Sequence, residues 1–138
     1  VSVTYLPAAL RNQVRQRAKF RCEYCRLAEA DAFLPHEPDH IIAEKHGGLS
    51  KAENLACSCY DCNRFKGFDI ASVDSFTGKI VPLFNPRTQV WSRHFKTSGG
   101  EIIGRTACGR ATVNLLKFNL PARVEVRQML LLKKHWPE

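Results

Sequence analysis

The sequence predicts an α+β fold, a strand–strand–helix centre clamped by four cysteines and flanked by an N-terminal helix, a small hairpin and C-terminal helices. Three observations carry this. Leu6, Leu10, Val14 and Ala18 recur every four residues, the period of a helix with one buried stripe. Two C-x-x-C pairs, CEYC and CYDC, bracket an apolar frame broken by Pro35 and Pro38. A turn at Ser98-Gly99-Gly100 is followed by a tail that reads as two helices. With 138 residues, the chain is expected to form one domain over 1–138, its core about 20–68 and an extension about 69–138.

Taken in order, Pro7 suits the first turn of a helix over 7–19, whose other faces carry Arg11, Arg15, Arg17 and Lys19. RCEYC then makes a turn. The two prolines of FLPHEPDHII favour short extended pieces over a helix. EKHGGLSKAEN reads as a loop turning at Gly47-Gly48, and a helix is expected from Cys59 to about Phe68, stopped by Gly67. SFTGKIVPLFNP predicts a turn and a short strand, and SRHFKTSGGEIIGRT a hairpin. Helices are expected over about 110–117 and 121–135, with Asn119 capping the second.

No run of 18 apolar residues exists, which excludes a spanning helix and a membrane partner of that kind. The first twenty residues turn basic where a signal peptide would be apolar, so a reducing, cytoplasmic setting is expected. The net charge of +8 is unevenly placed. Residues 1–30 and 101–138 each carry +4, and residues 31–100 carry none. A cationic excess flanking a balanced centre suits a polyanion held across a site with carboxylates; the plainer reading is solubility.

Cys22, Cys25, Cys59 and Cys62 stand as two knuckles with 33 residues between them. Two residues between thiolates let both sulfurs reach one ion, and two such pairs complete a tetrahedron around structural zinc. A redox role for either pair lacks the surrounding βαβ pattern. Cys57 is either a substitute ligand for Cys59 or, like Cys108, a small buried thiol. The clamp should bring Asp39 and His40, on a strand, close to Asn63 on the following helix. A carboxylate and an amide oxygen are hard ligands that suit Mg²⁺ or Mn²⁺, and a neighbouring imidazole can take a proton from water. Together they describe a one-metal site for phosphodiester hydrolysis.

The string DHIIAEKHGGLSKAENLACSCYDCNRFKG, with CEYC upstream, resembles the HNH endonuclease family and its ββα-metal fold. The resemblance covers about 20–68. It implies His40 as general base, Asn54 as the residue that orients the loop and His40, and Asp39 and Asn63 as ligands of a catalytic divalent ion. Asn63 stands where many members carry histidine. The implied function is metal-dependent hydrolysis of DNA, expected to be double-stranded, leaving 5′-phosphate and 3′-hydroxyl ends. One such site cuts one strand, so a double-strand break requires a homodimer or two events by a monomer.

Candidate phosphate contacts are Arg64 and Lys66 on the helix of Asn63, Arg11 and Arg15 on the first helix, and Arg123 and Arg127 on the last. Arg87 and Arg93 flank Trp91 and offer a ledge of cationic and aromatic groups, although Trp91 and Phe95 serve equally well as core. His36 and His46 have no assigned role. Two alternatives differ in class or substrate: an inactive zinc-dependent DNA-binding module, and a nuclease acting on RNA.

Overall fold

The computed structural model describes residues 5–137, which form two compact units, one ending at Ile70 and one beginning at Ala71. The mixture of helices and small antiparallel strand pairs is the α+β class the sequence predicts.

In the first unit, helix α1 (Ala8–Arg17) follows Pro7 and buries Val14 completely. Val14 packs with Leu6, Leu55 and Cys57, and Leu10 and Ala18 lie against this cluster. The four-residue repeat thus becomes one stripe on a small apolar core. Arg17 ties the helix to the chain beyond by donating to the carbonyls of Ala52 and Leu55, at 2.9 and 2.6 Å. Lys19 and Phe20 then adopt left-handed φ of 54° and 59°, a costly pair for non-glycine residues, and turn the chain into the first knuckle.

Strands β1 (Glu37–His40) and β2 (Leu55–Ser58) pair antiparallel, with Asp39 opposite Ala56 and His40 opposite Leu55. Helix α2 (Tyr60–Lys66) follows at once and ends at Gly67, whose φ is 53°. The order strand, strand, helix is as the sequence predicts.

The second unit has a different core. Hairpin β3 (Ala71–Val73) with β4 (Ile80–Pro82) includes a strand the sequence reading lacked, too short at three residues to display a period. A short helix α3 (Trp91–His94) leads into hairpin β5 (Phe95–Ser98) and β6 (Glu101–Gly104). Helices α4 (Ala107–Leu115) and α5 (Pro121–Leu132) complete it. Phe95 is buried, with the rings of Phe84, Trp91 and Phe118 at 5.0 to 5.8 Å, so it is core, while Trp91 stays half-buried beside it. Gly109 lets α4 sit directly on the chain at His94, where an added Cβ would lie 2.1 Å from a carbonyl oxygen.

Two sequence expectations fail in this unit, for related reasons. Asn119 does not cap α5, which starts from Leu120 without a side-chain cap. Its amide instead pairs with both the N–H and the carbonyl of Ile102 on β6. Arg123 and Arg127 are buried and do not face a solvent-borne partner. Arg123 donates to the carbonyls of Leu116 and Lys117 at the end of α4, and Arg127 to those of Gly100 and Phe118 and to the Asn119 Oδ1. Their charge completes orphan carbonyls of a helix end and a hairpin turn.

Candidate functional site

The clamp is assembled from two matching turns. The N–H of Cys25 points at the Cys22 sulfur, and that of Cys62 at the Cys59 sulfur, each at 3.4 Å. The four sulfurs lie within 4.8 Å of one another, all buried, with Cys25 and Cys59 at 3.6 Å. Thiolates about 2.3 Å from a tetrahedral ion sit about 3.8 Å apart, so this donor set fits zinc. The neighbouring Cys22 and Cys25 sulfurs push the Cys59 thiol up, and burial does the same to Cys62, so these two thiols need a cation to become thiolates. Cys57 is not part of the cluster. It faces the α1 core, where burial pushes its thiol up to about 12.

Asp39 and His40 alternate along β1 and so point to opposite sides. The Asp39 carboxylate is fully buried, and accepts from the Tyr24 hydroxyl at 2.8 Å. Burial, with Asp39 next to it, holds the Tyr24 phenol well above its ordinary pKa, so it stays a donor. The second partner of Asp39 is the Lys66 ammonium, 3.1 Å from Oδ2, which also donates to the carbonyls of His40 and Ile41. Lys66 therefore does not reach outward to a phosphate: it is 1 % exposed and neutralises Asp39 from inside.

His40 is also buried. Its Nε2 lies 2.9 Å from the Ser50 hydroxyl, which donates to Glu44 Oε2 at 3.1 Å, and its Nδ1 is buried without a hydrogen-bond partner. Burial pulls the imidazole below its ordinary pKa, against the upward pull of the Glu44 and Asp39 carboxylates.

Asn54 fastens the loop that carries Glu44 and Ser50. Its Oδ1 accepts from the Ile42 N–H, and its Nδ2 donates to the carbonyls of Ile42 and Leu49, all within 3.0 Å. Gly48 makes this staple possible, since an added Cβ would lie 1.7 Å from the Ile42 oxygen. Asn63, half-buried on α2, has a buried Oδ1 with no partner. It lines a groove of about 720 Å³ together with Tyr5, Arg11, Arg15, Tyr60 and Arg64. Arg11 is exposed, and Arg64 is exposed beside Asp61, its guanidinium lying over the Tyr60 and Phe65 rings. Arg15 is half-buried, shared between Glu29 and the His36 carbonyl. Arg87 lies in the second unit, half-buried in the turn before α3.

Four residues at this site were absent from the sequence reading or misplaced in it. Lys66 follows Cys62 by four residues and Asn63 by three, so the helical period already put it on the buried face. Tyr24 sits between two buried cysteines, a weaker signal. For Ser50 and Glu44 the sequence offers none, because only the fold of the loop brings them to His40.

A hard divalent ion fits Asn63, whose buried oxygen lacks any donor. Asp39 has the right chemistry, but a divalent ion there would displace the Lys66 ammonium. Among the described residues no helix is long and apolar enough to cross a membrane. No curated protein and no solved structure matches the chain. Yet the four cysteines, Asp39, His40, Asn54 and Asn63 all fall within residues 22–69, the stretch that matches the family model described as HNH endonuclease.

Proposed function

We propose that the chain is a metal-dependent endonuclease that hydrolyses DNA phosphodiester bonds, with His40 as general base. The observation that carries this reading is an imidazole whose Nε2 is already engaged while its buried Nδ1 has no partner, on the strand next to α2 and Asn63. Nδ1 accepts a proton from the attacking water. Asn54 keeps the loop, and with it the partners of His40, in place. Asp39 and Asn63 would hold Mg²⁺ or Mn²⁺, which when bound supplies charge stabilisation at the phosphate and the departing oxygen. Cys22, Cys25, Cys59 and Cys62 would hold zinc, with every position filled by sulfur and so no part in the chemistry. Arg11, Arg15 and Arg64 line the groove beside Asn63 and are suited to backbone phosphates.

The test is cleavage of supercoiled plasmid with Mg²⁺ or Mn²⁺, by the parent and by His40→Ala. Loss of a positioned base costs about 10²–10⁴ in rate, so the variant should be almost inactive while keeping its zinc and its fold. Equal cleavage by both proteins would sink the assignment. A second reading, binding without cleavage, has one observation in its favour: Asp39 is fully buried and already neutralised by Lys66. Retardation of DNA with no nicking by the parent under any divalent ion would favour it.

A further inference from the structure

We propose that Ser50 and Glu44 are positioning residues that fix the tautomer of His40, leaving Nδ1 as its basic nitrogen. The inference rests on His40 as general base and adds how this loop prepares it.

The exposed Glu44 carboxylate is the acceptor of its bond with the Ser50 hydroxyl. The Ser50 hydroxyl has one proton, and the 3.1 Å bond to Glu44 Oε2 uses it. Towards His40, 2.9 Å away, the same oxygen can therefore only accept, so the proton on the neutral ring lies on Nε2. Nδ1 is then a bare lone pair, consistent with its burial away from any donor or acceptor of the protein. The opposite tautomer would leave an Nδ1–H buried without an acceptor, at a cost typical of an unpaired donor.

The loop geometry serves this arrangement. Glu44 opens a short 3₁₀ turn four residues after His40, and Ser50 follows six residues later. Asn54 bonds to Ile42 and Leu49, the residues next but one to Glu44 and next to Ser50. The staple thus holds both members of the relay against His40.

Nitrogen NMR of histidine-labelled, zinc-loaded protein tests this at a pH where the ring is neutral. In the parent, His40 should show Nε2 in the protonated range and Nδ1 in the unprotonated range. Ser50→Ala removes the acceptor of Nε2–H, and Glu44→Ala frees the Ser50 proton to point at the ring. Both should shift His40 towards a mixture of tautomers and lower kcat for plasmid nicking about 10- to 100-fold, with KM kept. Ser50→Thr retains the hydroxyl and should restore both signals. Zinc content and melting temperature check that each variant is folded. An unchanged tautomer and unchanged kcat in Ser50→Ala would overturn the relay and leave the nuclease reading standing. A tautomer that shifts as expected in a parent that cuts no nucleic acid would support the relay and overturn the nuclease reading.

Discussion

The two units solve the same problem with different material. The first has a thin apolar core of Leu6, Val14, Leu55 and Cys57, beside a cluster of four sulfurs and a buried Asp39–Lys66 pair. The second packs Phe84, Phe95, Ile102, Leu116, Phe118 and Leu130 with no metal cluster among the described residues. Their arginines differ in the same sense. Arg11 and Arg64 stay on the surface of the first unit, whereas Arg123 and Arg127 are consumed inside the second. The lesson is that a cationic excess in the sequence has two destinations. The equal charges of the two ends do not imply equal roles.

The largest effect should come from the metal. Structural zinc contributes on the order of 10–16 kcal/mol in small domains, so chelation or Cys59→Ser should unfold the first unit. The chain labels its halves: all three tyrosines (Tyr5, Tyr24, Tyr60) lie before Ile70, and both tryptophans (Trp91, Trp136) after it. Near-UV circular dichroism should therefore lose the tyrosine signal while tryptophan fluorescence persists. Simultaneous loss of both would show that the units are not independent. The reverse experiment is Phe95→Ala, which should cost the second unit about 3–5 kcal/mol and leave the zinc content unchanged.

Smaller effects separate the arginines. Arg127→Met strands the carbonyls of Gly100 and Phe118 and should cost about 1–3 kcal/mol, read as a lower melting temperature. Arg11→Ala should leave melting within about 0.5 kcal/mol but lower the slope of log affinity against log salt by roughly one. If Arg11→Ala melts early and Arg127→Met binds weakly, the contrast is inverted. The smallest expected effect concerns pH. Because burial lowers the His40 pKa, the ring stays neutral as pH falls past about 6.5, and cleavage should decline only below that value. A pH–rate profile on protein checked for zinc at each point measures it, and an acid limb above about 6.5 would contradict the burial argument.

What the sequence revealed divides along a physical line. The knuckles, the strand–strand–helix order and Gly67 as a stop depend on spacing between near neighbours, and these were legible. What the sequence hid depends on contacts between distant residues. Asn119 has the chemistry of a cap but is drawn 17 positions back to Ile102. Lys66 looks like a surface cation until Asp39, 27 positions earlier, is seen to be buried against it. Arg123 and Arg127 share an exposed-looking helix with Val126 and Met129, which are the residues left in solvent. Ser50 and Glu44 carry no motif at all.

The inward turn of Cys57 governs how the protein can be modified from outside. With zinc on its four ligands, those sulfurs are not free to react, and Cys57 is both inaccessible and held as a thiol by its pKa of about 12. That leaves half-buried Cys108, at the start of α4, as the most accessible of the six thiols, with burial raising its pKa as well, so that it reacts with an alkylating reagent at alkaline rather than neutral pH. A single dye or spin label can thus be placed in the second unit of the unmutated chain, and release of zinc would register as five further reactive sulfurs.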